Sequence, residues 1–128
     1  MNNPFHLSFV VPELRLTEDF YVNFLGCKKG RDTGEWIDII FFGHQLTLHQ
    51  ETETMKAQSI DHFGVILSKV EWLSISEKVK GANITFVLLP SEKLNEDNSE
   101  SGKFIIKDPA GNLLEFKFYS KVPTLVEA

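Results

Sequence analysis

Glu115 and the histidines are the residues of this chain whose types and spacing could do chemistry. Glu115 falls within LLEFKF, residues 113–118, where Leu114, Phe116 and Phe118 alternate with Leu113, Glu115 and Lys117. Strand side chains point to opposite faces with period two, so Glu115 lies in mid-strand opposite an aromatic core face. A bare carboxylate is costly to bury. Glu115 is therefore solvated, paired with a cation such as Lys117 on its own face, or bound to a metal. The same alternation sets His6 and Ser8 against Phe5, Leu7 and Phe9, and sets Gln45, Thr47 and His49 against Leu46 and Leu48. It also sets His62 and Gly64 against Phe63, Val65 and Leu67. The candidate groups thus share one phase across four strands, while His44 sits at a hairpin tip and reads as structural.

These residues need strands to position them, and the sequence supplies strands in order. Residues 5–10 predict a strand with Phe5, Leu7 and Phe9 in the core, ended by Pro12. In residues 14–25, Leu16, Phe20, Tyr21, Phe24 and Leu25 have the spacing of an amphipathic helix. It starts at Thr17 or just before and stops at Gly26, which can take the left-handed conformation of a helix end. Asp32-Thr33-Gly34 is a turn, and residues 36–42 are an apolar strand broken only by Asp38. Gly43-His44 predicts a type II′ hairpin turn, and residues 45–50 run back. The polar connector 51–59 is the best boundary between halves. Beyond it come a strand over 60–67, a helix over 72–79 stopped at Gly81, and a strand over 84–88. A polar stretch, 91–102, is long enough for a mobile lid or a disordered loop. The chain closes with a hairpin of 104–106 and 113–118 around Asp108-Pro109-Ala110-Gly111-Asn112.

Strand, helix, glycine, strand and hairpin therefore occur twice: His6 and His62 are 56 residues apart, and Gly26 and Gly81 are 55 apart. The fold class expected is α+β, with two tandem βαβββ modules, about residues 4–50 and 60–120, in one domain spanning 1–128. The modules would form a cupped mixed sheet with helices on the outer face. The face carrying His6, Ser8, Thr47, His49, His62, Gly64 and Glu115 would then line a cleft.

Composition narrows the partners. A length of 128 residues with 42% hydrophobic content suffices for a packed core. A net charge of −5 and a pI near 5.3 argue against nucleic acid and against an anionic membrane, since both repel such a surface. A small neutral, cationic or metal-chelating ligand fits better. Eleven Phe against two Tyr point to core filling, not a base-stacking surface. The single Cys27 permits no intrachain disulfide, and MNNPFHLS has neither the basic start nor the apolar run of a signal peptide. No apolar run approaches the roughly 20 residues needed to span a bilayer. A cytoplasmic chain is expected.

Four segments carry a resemblance: Phe5-His6-Leu7, Phe20-Tyr21-x-x-Phe24-Leu25-Gly26, Asp61-His62-Phe63-Gly64-Val65 and Asp108-Pro109-x-Gly111-Asn112-x-x-Glu115. Over nearly its whole length the sequence resembles the vicinal oxygen chelate superfamily, the glyoxalase, bleomycin-resistance and extradiol-dioxygenase fold. In metal-binding members the ligands come from the first and last strand of each module. The resemblance therefore implies His6, His62 and Glu115 as metal ligands and His49 as the fourth position. Thr47 shares His49's face, so the register of that strand decides between them. Two imidazoles and a carboxylate suit one first-row divalent ion, Fe(II) in particular, with Mn, Ni, Co or Zn open as well.

The resemblance also implies chelation of a small substrate through two vicinal oxygens. The metal then polarises a carbonyl, stabilises an enolate or, as Fe(II), activates O₂. A lyase or isomerase of the glyoxalase type and an extradiol-type dioxygenase are both expected possibilities. Glu115 is the candidate catalytic residue, and Ser8, Gln45, Thr47 and Gly64 are candidate substrate contacts. The alternative is a metal-free module that sequesters a small, antibiotic-like molecule, as bleomycin-resistance members do. A homodimer is expected in either case.

Overall fold

The computed structural model describes residues 4–58 and 60–121. By its contacts the chain forms two compact units. One is the chain up to Ile60 together with Asp108–Asn112; the other is Asp61–Lys107 and the chain from Leu113 onward.

In the first unit β1 (His6–Val11) runs parallel to β4 (His44–Gln50), and β4 pairs antiparallel with β3 (Trp36–Phe41). Antiparallel β2 (Lys28–Asp32) completes the order β1-β4-β3-β2. The apolar face of this sheet is buried through Phe9, Val11, Ile37, Ile39, Phe41, Leu46 and Leu48. Phe5, expected in that core, is 61% exposed because it precedes the first paired residue.

Helix α1 (Leu14–Glu18) continues directly into a π-helical segment, Asp19–Phe24. Thr17 does not start the helix. Its amide and hydroxyl both donate to the Glu13 carbonyl, at 3.0 and 2.8 Å, which places it in the first turn. The Leu14 amide at the helix start is satisfied by Gln50 Oε1 at 2.9 Å, while Gln50 Nε2 donates to the Pro12 carbonyl at 2.7 Å. Leu14, Thr17, Phe20 and Tyr21 are buried, whereas Leu16 is exposed. Leu16 lies off the stripe that Leu14, Thr17 and Tyr21 form at helical spacing. Gly26, at φ +82°, ends the segment as expected.

Strand β2 escapes a hydrophobicity reading because KKGRD is exposed throughout. Charge ties it to the helix: Glu18 and Asp32 each meet both Arg15 and Lys29 at 2.7–2.9 Å. The β3–β4 turn also differs from expectation. Its central residues are Phe42 and Gly43, at φ +49° and +84°, which is the pattern of a type I′ turn and not of a type II′ turn centred on Gly43-His44.

The second unit repeats the pattern: β5 (Phe63–Leu67) parallel to β8 (Leu113–Tyr119), then β7 (Glu100–Lys107) and β6 (Phe86–Leu94), in the order β5-β8-β7-β6. Helix α2 (Lys69–Gly81) starts on Ser68, whose hydroxyl accepts from the Glu71 amide. Its Trp72 packs on Phe104 and Phe118 and donates from Nε1 to the Phe116 carbonyl at 2.9 Å. The stretch 91–102, expected as a loop or lid, is largely strand. β6 runs on to Leu94 and β7 begins at Glu100, with a short turn closed by Asn95 N donating to the Ser99 carbonyl at 2.8 Å. Its polar residues hide the alternation, and the ladder slips around Pro90, which an edge strand tolerates.

Two tandem βαβββ modules of the α+β class are thus observed. Among the described residues no helix is long and apolar enough to cross a membrane.

Candidate functional site

In the first unit the face opposite the core is laid out by the ladder in three rows. His6, Gln45 and Ile40 form one, Ser8, Thr47 and Asp38 the next, and Val10, His49 and Trp36 the third. His6 and Gln45 are partners in space as well as register, with Nδ1 2.6 Å from Gln45 Oε1. With the amide oxygen accepting, Nδ1 carries the hydrogen and Nε2 keeps its lone pair for a ligand. Ser8 is exposed beside them.

Thr47 is buried, and its hydroxyl donates to Asp38 Oδ1 at 2.8 Å. Arg31 Nε donates to Asp38 Oδ2 at 2.7 Å, and the Arg31 guanidinium lies over the Trp36 ring, 5.1 Å from its centre. Burial opposes the charge on Asp38, but Arg31 and Thr47 together hold its carboxyl below the usual carboxylate range. The sequence marks Asp38 only as the one acid interrupting an apolar strand. Its partner cannot be read there, because Arg31 reaches it from a neighbouring strand.

His49 lies opposite Val10, four positions along the strands from His6, and its ring is 6.3 Å from that of Trp36. Four strand residues span about 13 Å, so the structure brings His6 to Gln45 and keeps His49 at a distance.

In the second unit Glu115 pairs with Gly64 on one side and Ile105 on the other. A Cβ at position 64 would overlap the Glu115 backbone carbonyl, so Gly64 allows β5 to approach β8 at the candidate carboxylate. The Glu115 side chain is 17% exposed, and Oε1 is 3.8 Å from Lys117 Nζ. The ion pair open from the sequence is therefore present at long range. His62 lies just before β5, half exposed, with Nδ1 3.7 Å from Asp61 Oδ2.

In register, Ser8 meets Thr47 as Gly64 meets Glu115, and Ser8 and Gly64 each sit two residues past a histidine. Thr47 is the first unit's counterpart of Glu115, and its hydroxyl already serves Asp38. Two imidazoles and a carboxylate are by their chemistry a donor set for a divalent ion. Within neither unit, among the described residues, do three or more His, Cys, Asp and Glu side chains gather as one metal group.

The Asp108-Pro109-Ala110-Gly111-Asn112 segment has a different task. Asp108 Oδ1 accepts from the Ala110 and Asn112 amides at 2.9 and 2.8 Å, and Oδ2 accepts from the Tyr21 hydroxyl at 2.8 Å. Asn112 Oδ1 accepts from the Ile60 amide at 2.8 Å. This buried network builds the loop and fastens it to the π segment of the first unit.

No family model and no curated protein matches the chain. Among solved structures it is similar to a glyoxalase/bleomycin resistance protein/dioxygenase from Alicyclobacillus acidocaldarius, at 33% identity over 92% of both chains and a TM-score of 0.75. It also matches a glyoxalase/bleomycin resistance protein/dioxygenase from Nocardioides at 20% identity, covering 93% of this chain and 84% of that one, TM-score 0.68. A lactoylglutathione lyase from Agrobacterium tumefaciens matches at 18% identity over 92% and 94% of the two chains, TM-score 0.68. The last two are similar in fold.

Proposed function

The chain belongs to the glyoxalase/bleomycin resistance protein/dioxygenase family, and from that premise we propose that it is a divalent-metal-dependent enzyme acting on a small substrate with two vicinal oxygens. His6, His62 and Glu115 would hold the ion. The observation that carries this reading is the repeated placement of the histidines. His6 opens β1 and His62 immediately precedes β5, so each stands where the first strand of its module begins, and the His6 Nδ1 bond to Gln45 Oε1 leaves its Nε2 for a ligand. A bound divalent ion would supply Lewis-acid polarisation of the substrate oxygens and, as Fe(II), access to O₂.

The chain's own residues do the rest. Gln45 fixes the His6 tautomer, and Gly64 keeps β5 close against the Glu115 backbone. Glu115 contributes negative charge to the ligand set and is a side chain able to accept a substrate proton. Ser8 and Gln45 are polar contacts available to the substrate, while Thr47 acts through Asp38. A homodimer is the proposed assembly.

The second reading, a metal-free module that sequesters a small molecule, draws support from Thr47, a hydroxyl standing where the repeat would place a second carboxylate. Metal analysis of protein purified without a metal-affinity tag separates the two. We expect close to one divalent ion per chain, and in Glu115→Gln an affinity lower by about tenfold or more with the fold retained. Protein that arrives metal-free and takes up no Fe, Mn, Ni, Co or Zn on titration overturns the enzyme reading.

A further inference from the structure

Strand β6 sorts its charges by face. Glu92 turns to Lys69, whose ammonium lies 3.3 Å from it and 2.8 Å from Glu100. Lys93 turns the other way and, with Lys103 and Lys117, lines a pocket of about 240 Å³. The ladder shows how the pocket is made. Ser91, Lys103 and Lys117 form one row across β6, β7 and β8, and Lys93, Ser101 and Tyr119 form the next. The row on the opposite side contains Ile105 and Glu115. Successive rows on one face are about 7 Å apart, so the pocket opens one step from the candidate carboxylate.

Three lysines in this arrangement are unfavourable by themselves. Lys103 and Lys117 face each other directly, and like charges in that position on a sheet are destabilising. Glu115, 3.8 Å from Lys117, answers one of the three ammoniums. Among the described residues neither Lys93 nor Lys103 has a carboxylate at ion-pair distance. On a chain of net charge −5 this is a local inversion of sign with a cavity at its centre.

We infer that this pocket binds an oxyanion, a carboxylate or phosphate group carried by the small substrate, with Lys93, Lys103 and Lys117 as its charge partners. The Ser91, Ser101 and Tyr119 hydroxyls are its remaining donors. The inference rests on the proposed function for where the rest of that substrate lies, but oxyanion binding itself requires no metal.

Calorimetric titration of EDTA-stripped protein with inorganic phosphate and with malonate tests it, with dimethyl malonate as the uncharged control. Saturable binding of an anion but not of the diester is expected, weakened about tenfold in Lys93→Ala and in Lys103→Ala. Whichever anion binds more tightly distinguishes a phosphate from a carboxylate source. Failure of both anions to bind, or equal binding by wild type and both variants, overturns the inference. Should a variant fail to fold, wild-type amide shifts decide: anion-dependent movement at Lys93, Ser101 and Lys103 supports the pocket, and none overturns it. Anion binding by protein that takes up no metal leaves the pocket standing and removes the metal reading; metal uptake without anion binding does the reverse.

Discussion

The hydroxyl of Tyr21 donates to Asp108 at 2.8 Å with both side chains buried. Burial, and then the Asp108 charge, push the Tyr21 pKa well above its ordinary value of 10.0. A group with a raised folded pKa contributes stability that is full below its unfolded pKa and is lost as pH rises through the folded one. Tyr21→Phe should therefore destabilise the protein by about 1–3 kcal/mol at neutral pH, because one donor to a buried carboxylate disappears. The difference between wild type and variant should shrink as pH climbs past 10. Denaturant melts of both proteins from pH 7 to 11 check this, and a constant difference across that range would contradict the hydrogen bond's role. Asp38 has the opposite sign: its depressed pKa makes its contribution one that falls away on the acid side, below its ordinary value of 3.8.

At the scale of the element, the approach of β5 to β8 depends on one missing side chain. Position 64 faces the Glu115 backbone across a parallel pair, and a Cβ there meets backbone, which cannot swing aside as a flexible side chain can. Gly64→Ala should force the strands apart and destabilise the second unit by about 1–3 kcal/mol. Thermal melts measure that loss, and an unchanged midpoint would mean that the strand pair has room to adjust. The edge hairpin of β6 and β7 behaves differently. Over residues 91–102 its side chains are mostly polar or charged, and there its pairing, not hydrophobic alternation, makes it a strand.

At the scale of the molecule, the proposed ion needs donors from both units, His6 from the first and His62 with Glu115 from the second. Those donors can come from one chain or from two copies, and mixing tests which. His6→Ala and Glu115→Gln chains, each deficient in metal binding, should regenerate about one intact site in a heterodimer if sites are shared between copies. If every site is built within a single chain, the mixture should bind no more metal than its components. Metal content of the mixture against each variant alone gives the answer.

The sequence by itself determined the repeat, the fold class and the phase of the candidate side chains that lie on strands. Alternation in 113–118 put Leu114, Phe116 and Phe118 in the core, where all three are fully buried, and put Glu115 on the other face. Periodicity is a local property, set by strand geometry, and needs no partner to be read. Register is not local. Only the tertiary structure decided that Gln45 and not His49 stands beside His6, that Thr47 is spent on Asp38, and that Lys93, Lys103 and Lys117 converge. The stretch 91–102 shows the same limit, since a polar edge hairpin is held by cross-strand hydrogen bonds that no pattern within its own sequence records. The Asp108 loop was legible as a turn from its residue types, but its fastening to Tyr21, 87 positions away, exists only once the chain has folded.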